Sequence, residues 1–425
     1  MAQRVSHPEK TRMLSALKHR DFRNYWLGLA PSILAYQIVL MVAQPWLVYE
    51  LTGSARDLGI LGLASALPTL ALNPLGGLIA DKLDQRRLLA LVQTVAAILF
   101  LAQALLVVFR VVEVWHIWAI SLALSAVTAF DFPTRMTLMP RLVPRGDMTN
   151  AIALNTAVWQ SSRIVGPPIG GFLIAKVGVA SCFYLGTAGA LAFVVAIALL
   201  RRVPAPTPTG PRRSWTGEMA EGLSYIRASG LIRGLMLLTF FNSFFGMSFI
   251  FLLPIYAKDI LRAGPEGLGI LYAASGAGAL LSTLAVANMG NLRRPSTALV
   301  TSAVVSGLLT ILFAFSVWYV PSLLLMFLTG AASAVYMVIT MSTIQLAVAD
   351  HLRGRVMGVF SSVWSMIPLG GAQAGFVASA ISAPFAVALG GAAVTVSTLV
   401  IAARNHSIRS LGTAPGEASL ADERP

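Results

Sequence analysis

Arg163 stands in an otherwise uncharged run, just ahead of Gly166-Pro167-Pro168-Ile169-Gly170-Gly171. A guanidinium in an apolar helix is costly and normally faces a cavity or a partner. At about 100° per residue, Asn155, Trp159, Arg163, Gly166 and Gly170 fall within a sector of about 80° on one helix. Two chemistries are open to Arg163: binding an anionic group of a small molecule, or hydrogen bonding to a neighbouring helix. Other apolar runs carry polar faces too. Gln37 and Gln44 are spaced two turns apart, Ser121, Ser125 and Thr128 share a face, and so do Asn242, Phe245 and Phe249, and Tyr336, Thr340 and Thr343. Amide and aromatic linings suit amphiphilic organic molecules. The candidate cavity set is Gln37, Gln44, Asn155, Arg163, Asn242, Phe245, Tyr336 and Trp364.

A second cluster is the loop Gly76-Gly77-Leu78-Ile79-Ala80-Asp81-Lys82-Leu83-Asp84-Gln85-Arg86-Arg87. Gly77 permits close helix approach. Asp81 at a helix end can accept hydrogen bonds from a neighbouring helix N-terminus, where the dipole favours negative charge. Lys82, Arg86 and Arg87 can pair with carboxylates or anionic lipid. Asp131, near the same end of a later segment, is a suitable partner.

Several chemistries are missing. No Gly-x-x-x-x-Gly-Lys-Ser/Thr phosphate loop occurs, so ATP drive is not expected. The five histidines are scattered at 7, 19, 116, 351 and 406, and no metal-ligand cluster is expected. Cys182 is the one cysteine and reads as a small core residue. Glu50, Asp57, Glu113, Asp259 and Glu266 read as outer-end residues, and Asp81, Asp131 and Asp350 as inner-end ones. No carboxylate is therefore expected deep in a helix, although proton-coupled carriers usually need a titratable group there.

The elements that hold these residues follow from composition. The 425 residues are 56% hydrophobic and 11% charged, with mean hydropathy +0.76. Soluble domains carry about 25% charged residues. Uncharged runs near the ~20 residues that span a bilayer recur throughout. Twelve segments are expected, near 24–49, 58–80, 88–109, 115–134, 150–175, 180–200, 232–257, 267–289, 296–317, 320–345, 355–380 and 383–403. Ser382 and Pro384 mark the last helix start. The Pro- and Arg-rich stretch after Arg201 reads as a linker, followed by a short amphipathic helix around Glu218–Ile226. The expected domains are residues 1–200, a linker at 201–231, residues 232–404 and a tail at 405–425. The N-terminus is too polar for a cleaved signal peptide.

The net charge of +14 comes from 31 Lys+Arg against 17 Asp+Glu. With twelve spans, all but six of the 31 fall on the side of the termini. Arg56, Arg110, Lys176, Lys258 and Arg262 lie opposite, and Arg163 lies within a span. This bias is an orientation signal that puts both termini in the cytoplasm, so no nucleic-acid partner is expected. The halves also repeat. Leu58-Gly59-Ile60-Leu61 recurs at Leu268-Gly269-Ile270-Leu271, and Val158-Trp159, Gly166 and Gly170 recur at Val363-Trp364, Gly371 and Gly375. A duplicated six-helix unit is a transporter plan.

The loop around Gly77, Asp81, Lys82 and Arg86 resembles the signature of the major facilitator superfamily. Asp84 and Gln85 stand where its Gly-Arg would, and Arg87 supplies the following charge. Gly166, Pro167, Gly170 and Gly171 resemble the helix-5 motif of its exporters, with Ser162 at the position of an upstream glycine. The runs FRNYWLG, QPWLVYELTGSARDLG, LNPLGGLIADKLDQRRLL, FDFPTRMTLMPRLVPRGDMTNAIALN and RIVGPPIGG resemble the branch of siderophore (enterobactin) and drug-efflux carriers. That resemblance implies twelve helices in two pseudo-symmetric six-helix bundles. It also implies a latch of the outward-facing state made by Asp81, Arg86 and Asp131, and a proton gradient as energy source without a bound cofactor.

The expectation is an all-α membrane protein that is not an enzyme. It would be a monomeric secondary exporter of siderophore-like or drug-like amphiphiles in a bacterial inner membrane. A lipid or lysolipid translocator is the alternative, and a non-transporting scaffold or sensor a third.

Overall fold

Every regular element in the described residues is helical, as expected where apolar runs in lipid must satisfy their own backbone groups. The computed structural model describes residues 14–201, 215–289 and 294–411. In the first half the spans are α1 (Arg20–Thr52), α2 (Ala55–Lys82), α3 (Gln85–Val108), α4 (Val114–Arg141), α5 (Met148–Lys176) and α6 (Ala180–Ala198). In the second they are α7 (Gly230–Ile260), α8 (Gly264–Met289), α9 (Pro295–Ala314), α10 (Tyr319–Ala347), α11 (Asp350–Trp364 and Ile367–Ala380) and α12 (Ala383–Arg404). Local signals set several ends. Asp84 accepts from the Arg86 and Arg87 amides at 2.9 and 3.3 Å, Ser382 accepts from Phe385, and Gly53 ends α1 at φ 60°.

Among the described residues, ten helices are long and apolar enough to cross a membrane. The two spans outside that set are α5 and α11, which the 205-residue repeat relates. α5 carries Gln160, Ser161, Ser162, Arg163 and two prolines, and α11 is broken at Ser365 and Met366. α1 and α7, at the starts of the two halves, each contain π-helical turns, at Val39–Ala43, Asn242–Gly246 and Tyr256–Ile260. Such turns often mark functional segments. The helix Trp215–Ala228 docks on the second half: Ile226 is buried with Ile232 and Leu352, and Glu221 pairs with Arg355 at 2.5 Å. Large apolar side chains such as Leu91, Ile98, Val165, Phe172, Leu312 and Val396 are exposed, as lipid-facing residues should be.

The cores show how the halves meet. At the basic end, where Arg20 and Arg404 lie, each half has its own core. One is built on Phe22, Tyr25 and Phe193, the other on Leu235, Tyr336 and Phe360. At the opposite end a single core joins both halves, running from Val42 and Trp46 of α1 to Leu252, Tyr256 and Ala386 of α7 and α12. The halves are therefore packed together at one end and separate at the other.

Candidate functional site: a cavity open at the basic end

The closed seam is made by two helix pairs, α2 with α11 and α5 with α8, and glycines line both. A Cβ on Gly62 would lie 2.6 Å from the Pro368 carbonyl, and one on Gly375 2.6 Å from the Gly59 Cα. Across the other pair, a Cβ on Gly269 would lie 2.5 Å from the Pro167 carbonyl. The repeated Leu-Gly-Ile-Leu tetrapeptides thus serve equivalent positions in the two contacts. The helix-5 motif is a two-sided notch. Gly166 and Gly170 lie against Gln37, Ile38 and Val42 of α1, while Gly171 and Pro167 meet α8. Pro167 and Pro168 cannot donate, so the carbonyls of Arg163 and Ile164 lack their usual helical donors. Polar contacts lock the far end: the Tyr49 hydroxyl donates to Asp259, Lys258 Nζ lies 5.5 Å from the Tyr49 ring centre, and Lys176 pairs with Glu266 at 3.3 Å.

Toward the basic end the halves part around a cavity of about 900 Å³. That size suits a drug-sized molecule. The first half contributes Ser32, Tyr36, Gln93, Thr128, Asp131, Phe132, Arg135 and Trp159. The second contributes Met337, Met341, Met357, Phe360, Ser361 and Trp364. One wall therefore carries the charged pair and the other the methionines, while aromatic rings and hydroxyls line both.

The charged pair was not legible as buried. α4 turns at Ala129 and Phe130 and resumes from Asp131 to Arg141, so the carboxylate stands at the start of the second piece and not at the end of the span. Asp131 is 8% exposed and Arg135 2%. Arg135 Nε donates to Asp131 Oδ2, and Gln93 Nε2 donates to Oδ1 at 2.8 Å. Ser32 Oγ in turn donates to Gln93 Oε1 at 3.3 Å. The Arg135 guanidinium lies 4.2 Å from the centre of the Phe193 ring, whose edge meets Tyr25. The expectation of no deep carboxylate is thus corrected.

Asp131 is paired with Arg135 in this state, not with Arg86. Arg86 donates to the carbonyls of Ile197 and Ala198 at 2.9 and 2.5 Å, capping α6. Arg87 lies 3.8 Å from Asp84 at the exposed loop, and Arg141 donates to Gln85 at 3.1 Å. The surroundings of Gly77 and the side chains of Asp81 and Lys82 lie outside the described residues.

Of the candidate cavity residues, Trp364 lines this cavity. Gln44 donates to Gln103 of α3 at 3.2 Å, and the Tyr336 hydroxyl lies 3.3 Å from Thr239 of α7. Gln37 is buried against Gly166, Asn155 is buried, Asn242 lies beside Gly246, and Phe245 stacks on Phe241. Gln37, Gln44 and Tyr336 thus contact other helices of their own half, and none of these six is among the residues lining the cavity. Arg163 is exposed, one turn beyond Trp159 on the same face and roughly opposite the lipid-facing Val165. It has no hydrogen-bond or ion-pair partner among the described residues. Sequence reasoning missed Arg135, Gln93, Tyr36 and the three methionines. The signal for Arg135 was the acid–base pair four residues apart in Asp131-Phe132-Pro133-Thr134-Arg135.

The model of the transmembrane secretion effector family matches residues 11–417. The chain belongs to that family, within the major facilitator superfamily. Among members and relatives, it is 29% identical over 362 residues to the multidrug efflux pump Tap of Mycolicibacterium fortuitum, covering 80% of this chain and 85% of Tap. It is 25% identical over 339 residues to the enterobactin exporter EntS of Shigella boydii, covering 79% and 77%. A point mutant of the nucleoside transporter NupG superposes with a TM-score of 0.73 at 16% identity, over 90% of this chain and 99% of that one. A bacterial homologue of the human lysosomal transporter Spinster superposes with a TM-score of 0.69 at 14% identity, over 92% and 96%. These structures share the fold. This family member is a multi-pass membrane transporter.

Proposed function

We propose that the protein exports small amphiphilic organic molecules, siderophore-like or drug-like, from the cytoplasm by alternating access driven by the proton gradient. The observation that carries this reading is the cavity between the halves, open at the basic end and sealed by glycine-packed helix pairs at the other. The basic end is cytoplasmic by its charge bias, which makes this the state that loads substrate from inside. Rocking the halves would separate Gly59 from Gly375 and Gly269 from Pro167 while closing the basic end. The efflux pump and siderophore exporter among the relatives support the direction. The methionine and aromatic wall supports a substrate with apolar or aromatic surface, since methionine adapts to varied shapes. The protein would act as a monomer in a bacterial inner membrane, with no bound cofactor.

The test is accumulation in everted membrane vesicles energised with a proton gradient, using ethidium, an iron-free tris-catecholate siderophore and a fluorescent lysolipid. Accumulation of either of the first two, collapsed by a protonophore, is expected. Accumulation of the lysolipid alone would move the reading to a lipid translocator, and accumulation of none would end it.

A further inference from the structure

We propose that Asp131 is the group that binds the coupling proton, and that Arg135 is the internal cation whose pairing with it reports whether the proton is bound. This rests on the transport reading above and names the site of its energy coupling. Among the described residues, Asp131 is the one buried carboxylate. It lines the cavity, so in this state it is in reach of water from the basic end.

The partners of Asp131 differ in what they tolerate. A carboxylate only accepts hydrogen bonds, whereas a carboxylic acid also donates one. Gln93 has both an amide donor and a carbonyl acceptor, and Ser32 has a hydroxyl that does either. The chain Ser32–Gln93–Asp131 can therefore invert by amide and hydroxyl rotation and serve both protonation states. Arg135 is a donor only and stays charged. When a hydronium ion in the cavity gives its proton to an Asp131 oxygen, that oxygen no longer offers Arg135 a full negative charge. The site passes from net zero to one positive charge, and the ion pair that ties Asp131 to Arg135 within α4 is released. The groups facing Asp131 are Ser32, Tyr36 and Tyr25 from α1, Gln93 from α3, Arg135 from α4 and Phe193 from α6. Across the cavity stand Met337, Met341, Met357 and Trp364. No second carboxylate among the described residues shares the site.

The second half offers no such group at the related place. The 205-residue offset carries Asp131 onto Tyr336 and Arg135 onto Thr340. Tyr336 is buried and bonded to Thr239, a neutral hydroxyl pair that fixes α10 to α7. A buried charge pair kept on one side of a duplicated fold, and facing the cavity, does more than hold helices together, since hydroxyls do that in the repeat.

The experiment compares two readouts in proteoliposomes, with ethidium and the tris-catecholate as probes. One is substrate exchange without a gradient, and the other is uphill accumulation driven by a proton gradient. Asp131→Asn keeps the shape and an acceptor but cannot take the proton. Its uphill accumulation is expected to fall at least about tenfold further than its exchange does, with partial recovery in Asp131→Glu. Accumulation retained in Asp131→Asn overturns the proposal. Because that variant leaves Arg135 unpaired, the double variant Asp131→Asn with Arg135→Met is measured alongside it. Loss of exchange in both shows a structural role and also overturns the proposal. Absence of exchange and accumulation in wild type with both probes is the failure of the transport reading itself, a different result from any of these.

Discussion

The two halves repeat one backbone plan and differ in what they place at the cavity. The first half sets a charged pair and an amide into its wall and the second sets three methionines there, while both contribute aromatic rings and hydroxyls. The same comparison holds one layer back, where Arg135 rests on Phe193 in the first half and Tyr336 bonds Thr239 in the second. Helix packing can be duplicated because glycine contacts at the seam depend on backbone shape alone. A buried charge requires fixed partners, whereas a methionine lining adapts to varied shapes.

The comparison can be broken most severely at the charged pair. Arg135→Leu leaves Asp131 buried without its counter-charge and is expected to cost about 3–5 kcal/mol, read as a lowered Tm in detergent. In the second half Tyr336→Phe, at the position the repeat relates to Asp131, removes one neutral hydrogen bond and should cost about 1 kcal/mol. Equal losses would mean that the two sites play the same structural part.

Next in size is the seam. Gly62→Leu introduces a side chain where a Cβ alone meets the Pro368 carbonyl at 2.6 Å. The expected result is a shift away from the state closed at the far end. Thiol labelling of Tyr49→Cys from the non-basic side, in a background with Cys182 replaced, should rise several-fold, on the order of 1 kcal/mol of population shift. Unchanged labelling would show that the seam is not the gate.

A smaller effect is expected in the thioether wall. Met341→Leu conserves volume and should leave transport of a good substrate within about twofold, while changing preference among substrates of different shape. Transport abolished for every probe would make this wall as exacting as the charged one.

The smallest effect lies at the basic surface, where Asp147 accepts from Ser15 at 2.6 Å and from His19 at 2.7 Å. Those hydrogen bonds, that of Ser15 first, hold the Asp147 carboxyl below its usual range. The docking of the short helix Ser15–Lys18 is therefore fully supported above the ordinary Asp value of about 4 and is lost as pH falls through the lower folded value. The protection of residues 14–19 against hydrogen exchange, taken relative to the intrinsic rate at each pH, should fall at acid pH and in Asp147→Asn at neutral pH. No difference between Asp147→Asn and wild type would remove this link.

The sequence by itself determined the class, the number of spans, the duplication and the close-packing motif. Each depends on local or periodic properties: the length of apolar runs, the side on which charges fall, and glycines at a fixed repeat. It also singled out Arg163, since a charge against lipid is costly, and left open whether a cavity or a sister helix would receive it. The tertiary structure alone decided which polar residues meet the cavity. Gln44 and Tyr336 read on a helical wheel much as Trp364 does, but whether a polar face meets a sister helix or an opening depends on neighbours far away in sequence. The same reason hid Asp131. Distance from the end of an apolar run placed it at the end of the span, whereas the chain turns at Ala129 and Phe130, resumes to Arg141 and holds Asp131 buried beside Arg135. A charge can be buried only where its partner is brought to it, and the partner's position is a property of the packed fold.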